Sequence, residues 1–231
     1  VLDIAGSSIP VAFRRHRRAR RLIVRLDRSG QGVLVTLPPG VGRDEGLAFA
    51  LRSAGWISTR LARAGRSVEF LHGAVFPLRG HDVTIVHSPV VRGTVRFDAD
   101  SGQLHVAGAA EHVPRRILDW LKAEARRELV AATEKYAAAM NVSFRRVTIR
   151  DQKSRWGSCA SDGSLSFSWR LIMAPPHVLD YVAAHEVAHL RHMDHSVRFW
   201  RLVLGHCRAA ATAKAWLRAN STTLHRYGRR I

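Results

Sequence analysis

The period of apolar positions changes several times along the chain, and each change marks an element. Leu22-Ile-Val-Arg-Leu26 and Gly32-Val-Leu-Val-Thr-Leu37 read as two strands within Val11–Leu37, joined by Asp27-Arg-Ser-Gly30, a hairpin-turn composition. Pro38-Pro39-Gly40 stops the second strand. Asp44 to Arg63 switches to helical spacing, with Leu47, Leu51, Ile57 and Leu61 on one side and Gly55 as its weak point. From Val68 to Val106 short β segments return at Ala74-Val-Phe, Val83-Thr-Ile-Val86, Thr94-Val-Arg-Phe97 and Gln103-Leu-His-Val106. Asp98-Ala-Asp-Ser-Gly102 turns the last pair. Pro114 to Met140 is a long helix whose apolar side carries Ile117, Leu118, Leu121 and Leu129. Arg146–Arg150 and Leu165–Trp169 then read as a pair of strands flanking the loop Lys153–Asp162. Helices at Val178–His192, Ser196–Cys207 and Ala209–Ala219 complete the pattern. The expected fold is α+β. A basic, β-rich region with one helix, residues 1–112, packs on an α+β catalytic half, residues 113–231.

The last third carries the most specific chemistry. Tyr181-Val-Ala-Ala-His-Glu-Val-Ala-His-Leu190 contains H-E-x-x-H with apolar residues around it and no Gly or Pro inside. On a helix, residues four apart share a face, with Cβ atoms about 5–6 Å apart. Imidazoles of His185 and His189 can then close on one tetrahedral Zn²⁺ at ~2.0–2.1 Å, leaving room for a third ligand and a water. Glu186 is placed to take a proton from that water. With 13 His and 7 Glu in 231 residues, chance predicts only roughly 0.02 such matches. The bland alternative, a pair of surface histidines, sits poorly with the apolar residues between them.

A third ligand can come from His192 or His195. His192 follows His185 by seven residues, ~10 Å along an unbroken helix, too far for one ion to bridge easily. His195 follows Met193-Asp194, where the helix can end, and Ser196 can cap a new helix through Phe199, Trp200 and Leu204. His195 is therefore preferred. The spacing His185, His189, His195 is also that of the metzincins, H-E-x-x-H-x-x-G-x-x-H. Here His192 stands at the Gly position, and no methionine follows Met193 to underlie the site, which argues against that group.

A wider run of motifs points elsewhere. Arg155-Trp-Gly-Ser-Cys159, Leu165-Ser-Phe-Ser-Trp-Arg170, Ala174-Pro-Pro176, Leu179-Asp-Tyr-Val182, His185-Glu-Val-Ala-His189 and His195-Ser-Val-Arg-Phe-Trp200 occur in that order. The run closely resembles the YgjP-like metal-dependent hydrolases, relatives of the SprT-type zinc metallopeptidases. It is strongest from about Val147 to Leu217 and weaker over the N-terminal half, where that family also has a basic β-rich segment. The resemblance implies a zincin-like core with His185, His189 and His195 as ligands of one Zn²⁺ per chain and Glu186 as general base. By the same analogy, the strand Leu165–Trp169 lies above the metal and pairs with an extended peptide substrate.

Composition sets the surroundings. No apolar run approaches the ~20 residues of a membrane span, and no signal peptide is evident at the start. Cys159 and Cys207 form no C-x-x-C, which excludes a Cys-rich zinc knuckle and fits a reduced cytoplasm. Net charge is +19, a balance that attracts polyanions. Because only Lys122, Lys135, Lys153 and Lys214 are lysine, the arginine excess can equally reflect a GC-rich genome. Arg14-Arg-His-Arg-Arg-Ala-Arg-Arg21 could grip the phosphates of a nucleic acid or nucleotide, or simply form a solvated strand edge. His72, His81, His87, His105 and His112 form no ligand pair and read as surface or structural residues. For oxyanion stabilisation beyond the metal, Tyr181, His206 and nearby arginines are candidates in no order.

The leading reading is a zinc-dependent hydrolase of peptide bonds. Second comes hydrolysis of a nucleotide phosphoanhydride at the same metal, which suits Arg forks but lacks a phosphate-cradling Gly-rich loop. Third, a nucleic-acid-binding module with a structural metal is disfavoured because such a site needs no base and four ligands are not evident.

Overall fold

A computed structural model of the chain describes residues 1–4, 6–27, 32–64, 67–90, 93–152 and 155–228. It is an α+β protein made of two compact units, Val1–Val68 with His225–Ile231, and Glu69–Leu224.

In the first unit, β1 (Leu2–Ile4) and β2 (Ser7–Ile9) form an antiparallel hairpin. Strands β3 (Val11–Arg15), β4 (Ile23–Leu26) and β5 (Val33–Leu37) form a sheet in the order β3-β5-β4. The expected hairpin is the β4–β5 pair, antiparallel with Leu26 opposite Val33. Residues 28–31 of its turn lie outside the described residues. Val33, Val35 and Leu37 alternate into the core with Leu2, Ile4 and Ile9, and Ala50 and Ile57 cover them. The single helix expected over Asp44–Arg63 is two, α1 (Arg43–Arg52) and α2 (Ala54–Ala64). Ser53 ends the first: its N–H reaches the carbonyls of Phe49 and Ala50, and its hydroxyl donates back to Phe49 at 2.9 Å. Gly55, the expected weak point, sits inside α2. The C-terminal segment rejoins this unit through a bridge between Val68 and Tyr227.

In the second unit, β6 (Val75–Leu78), β7 (His81–Ser88), β8 (Val95–Asp98) and β9 (Gln103–Ala107) form a sheet in the order β6-β7-β9-β8. Asp98 closes the β8–β9 turn by accepting from the N–H groups of Asp100 and Ser101. A 3₁₀ turn (Ala110–His112) leads into α3 (Val113–Ala139), whose buried stripe is Ile117, Leu121, Ala125, Leu129 and Ala132. The boundary expected at residue 113 falls inside this unit, because its four-stranded sheet is tied to the helices. The β6–β7 turn makes the tie: Arg79 and Gly80 donate their N–H groups to the carbonyls of Ile172 and Met173. The Arg79 guanidinium holds Glu124 and Glu128 of α3 at 2.6 Å each. Gly80 has φ +82° and lies where a Cβ would meet Pro175 at 2.9 Å, so this approach to the start of the next helix requires glycine.

Strands β10 (Arg146–Arg150), β11 (Gly157–Cys159) and β12 (Ser164–Ser168) form a third sheet. The pair expected here is β10 with β12, in parallel, and β11 adds to the other side of β12. A 3₁₀ stretch (Trp169–Met173), wholly buried, leads to α4 (Pro176–Ala188), α5 (Val197–His206) and α6 (Ala210–Leu224). No helix of the described residues is long and apolar enough to cross a membrane.

Candidate metal centre

Helix α4 is apolar on every side, with Val178, Leu179, Val182, Ala183, Ala184, Val187 and Ala188 all buried, which makes it the central helix of its unit. Pro176 starts it at the one position where a missing N–H has no helical partner to lose. Into this apolar cylinder the sequence sets His185, Glu186 and His189.

The helix stops at Ala188, four residues before the expected end at His192. Its last turn tightens, with Leu190 and Arg191 donating to the carbonyls three residues back, Val187 and Ala188, at 3.0 and 3.1 Å. Nδ1 of His189 lies 2.9 Å from the His192 carbonyl. A carbonyl only accepts, so Nδ1 carries the proton and Nε2 keeps its lone pair. Asp194 then accepts the N–H of Ser196, and the Ser196 hydroxyl accepts the N–H of Phe199 as the cap of α5. These local bonds fold the chain back and bring His195 beside His185, with their Nε2 atoms 3.2 Å apart.

Ligand atoms of His185, His189 and His195 all lie within 4.8 Å of one another. Neighbouring nitrogens on a tetrahedral ion with bonds of ~2.0–2.1 Å are about 3.3 Å apart, so the His185–His195 separation already has that spacing. The set could hold a metal ion. His192 does not join it: its carbonyl orients His189 while its side chain lines a neighbouring groove. Burial, followed by the charges of His189, His195 and Lys214, pushes His185 down to about 4, and burial also lowers His189. Both are neutral at pH 7, the state a metal ligand needs.

Phe199 holds the rings in place. It is fully buried, stacks on His189 at 4.5 Å and meets His185 and His195 edge-on at 4.9 Å each. Trp200 stacks on His195 at 5.9 Å, and the Lys214 ammonium lies over the Trp200 ring at 4.5 Å. In the sequence, Phe199 and Trp200 read only as the apolar side of a helix. Their place on the first turn after His195 is the signal that could have found them.

Glu186 is 6% exposed, and burial pushes its carboxyl up to about 7 against an opposing pull from Arg155. It packs against Gly157 of β11, where a Cβ would meet Glu186 Cγ at 2.5 Å, Oε1 at 2.6 Å and Cδ at 2.8 Å. Gly157 is therefore part of the site, although the sequence singles it out only as one position of the Arg155–Cys159 motif. Strand Leu165–Trp169 does not offer an edge to substrate, because β12 is paired on both sides; the edge strand beside Glu186 is β11.

Of the other candidates, Tyr181 touches the triad. Tyr181 is buried with its ring 5.8 Å from that of His185. His206 lies between the carbonyls of Leu202 and Ala139, at 2.9 and 3.1 Å. Burial, then the charges of Glu186 and Asp162, pushes the Cys159 thiol up to about 11, which leaves it protonated and a poor nucleophile.

Against this geometry, the family model for the YgjP-like metallopeptidase domain matches residues 20–220. The chain belongs to the YgjP-like family. Its three histidines thus sit in the metallopeptidase domain of a metal-dependent hydrolase, and the match takes in residues 20–112 of the basic β-rich region as well as the helices. Comparison with curated proteins and with solved structures finds no match.

Proposed function

We propose that this YgjP-like protein is a zinc-dependent metallopeptidase in which His185, His189 and His195 hold one Zn²⁺ and Glu186 is the general base. The observation that carries this reading is the convergence of three imidazoles within 4.8 Å, with the buried carboxylate of Glu186 next to the first of them on α4. Three nitrogen ligands with a fourth position open is the donor set of catalytic rather than structural zinc. When bound, Zn²⁺ supplies Lewis acidity that polarises a scissile carbonyl and acidifies water.

The chain's own residues do the rest. Glu186, with its carboxyl near 7, accepts a proton from the attacking water on one oxygen and returns it to the departing nitrogen. Gly157 leaves the space in which that carboxylate stands. Phe199 keeps the three imidazoles from rotating away, and the His192 carbonyl fixes the His189 tautomer. The free side of the edge strand β11 suits an extended polypeptide, whose backbone can add to it as a further strand.

The test is elemental analysis with a cleavage assay. Purified protein should carry one zinc, lost in His185→Ala and His189→Ala and much weakened in His195→Ala. Zinc-loaded protein should cut unfolded polypeptides, and Glu186→Gln should keep zinc and lose cleavage. Zinc retained by His195→Ala but lost by His192→Ala would reassign the third ligand. Intact peptides alongside Glu186-dependent turnover of nucleoside triphosphates would replace the peptidase by a phosphoanhydride hydrolase.

A further inference from the structure

Beside the histidine triad lies a groove of about 380 Å³ lined by Arg191, His192, Arg198, Arg201, Leu202 and His206. No acidic residue lines it. Two of its polar side chains are occupied: Arg191 donates to the Asn141 carbonyl at 3.2 Å, and His206 lies between the carbonyls of Leu202 and Ala139. Both thereby sit at the C-terminal end of α3, where unpaired carbonyls attract positive charge. Arg198 and Arg201 differ. Both are exposed, and neither makes a hydrogen bond or ion pair among the described residues. They stand three apart on α5, so they share a face with Cβ atoms about 5–6 Å apart. Like charges gathered without a counter-charge repel one another, and an anionic ligand converts that repulsion into binding.

We infer that this groove binds an acidic segment of a polypeptide, with Arg198 and Arg201 gripping its carboxylates. The reading rests on the peptidase assignment only in naming the polypeptide as substrate. Two features favour carboxylates on a peptide over a nucleic-acid backbone. Leu202 and the aliphatic stems of the arginines give it an apolar floor, matched by the methylenes of glutamate side chains. Its volume, about 380 Å³, fits a few residues rather than a tracked strand of phosphates. Arg guanidinium forks pair with carboxylates in two parallel hydrogen bonds.

The groove is built by the same segments as the triad. Arg191 and His192 follow His189 in the turn that ends α4, and Arg198 and Arg201 flank Phe199 and Trp200, which touch the imidazoles. A polypeptide anchored here is held next to the metal centre. The groove thus sets a preference for substrates carrying acidic residues to one side of the cleaved bond.

Binding can be measured without catalysis. The probes are a fluorescein-labelled, end-capped peptide of alternating Glu and Gly, its Lys counterpart, and a single-stranded oligonucleotide of equal charge. The full-length protein carries Glu186→Gln so that nothing is cut. Fluorescence anisotropy should show the Glu peptide binding and the Lys peptide not. Arg198→Gln with Arg201→Gln should weaken the Glu peptide by about tenfold, the upper range for two exposed ion pairs. Arg198→Lys with Arg201→Lys, which keeps charge and fold but loses the fork, should fall between the two. Equal binding by all three proteins would overturn the proposal. So would an oligonucleotide that binds more tightly than the peptide and loses affinity in the same variants. Because no turnover is read, failure of the peptidase assignment would leave this result standing, and the reverse.

Discussion

Replacing Glu186 by Gln in metal-free protein should raise stability, by an amount that grows as pH rises from about 4.5 to about 7 and then levels off. Gln matches Glu in shape and stands in for its protonated form. Burial lifts the folded-state value of Glu186 from 4.5 to about 7. Between those two values the folded protein holds a proton that the unfolded chain releases. The contribution of the protonated carboxyl is therefore fully present below about 4.5 and lost as pH rises through about 7. Integrated over that span, wild type gives up about 3 kcal/mol by pH 8 that Glu186→Gln keeps, and under about 1 kcal/mol by pH 5. No discount for solvent screening is needed, since the residue is 6% exposed. His185, pushed down to about 4, works in the opposite direction by removing stability as pH falls. It is present in both proteins and cancels in the difference. Urea titrations of chelator-treated wild type and variant at several pH values would measure this. A stability difference that is flat from pH 5 to pH 8, or a variant less stable at pH 8, would refute the burial account of Glu186.

Gly157→Ala places a methyl group within 2.5–2.8 Å of Glu186; it should bind metal normally, lose about 1–3 kcal/mol of stability and lose most Glu186-dependent cleavage, and full activity would remove Gly157 from the site. Arg17, Arg18, Arg20 and Arg21, all exposed, changed together to Ser, should flatten any salt dependence of nucleic-acid binding by about 0.7–0.9 in log–log slope for each phosphate no longer neutralised; a slope that does not move, or no binding at low salt, leaves the cluster as a solvated strand edge.

What the sequence can and cannot disclose follows from the range of the interactions involved. The strands β4, β5, β7 and β9 are legible because alternation and turn residues are local signals, read within a few positions. The hairpin at Leu2–Ile9 and strand β3 escape such a reading: the first has three-residue strands, and the second pairs in parallel with β5 across an intervening strand. The two-helix break falls at Ser53 rather than at the weak point Gly55. Propensity ranks glycine the poorer helix residue, yet Gly55 is accommodated within the second helix and the break falls before it.

The candidate site divides along the same line. His185, Glu186 and His189 declare themselves because a helix converts a spacing of four into one face. His195 is reachable because Ser196 announces a new helix and so forces a bend before it. Gly157 is not reachable, since its importance lies in a strand-to-helix approach that only the folded chain creates; a glycine inside a short motif looks the same whether it serves a turn or a neighbour's carboxylate. Phe199 lies between these cases. Its spacing from His195 is fixed by the cap and first turn of α5, so its closeness to one imidazole is local. Its stacking on His189 depends on the tightened end of α4, which apolar periodicity alone runs four residues too far. The histidine cluster therefore depends on where one helix stops, and that stop is held by His189 itself through its bond to the His192 carbonyl.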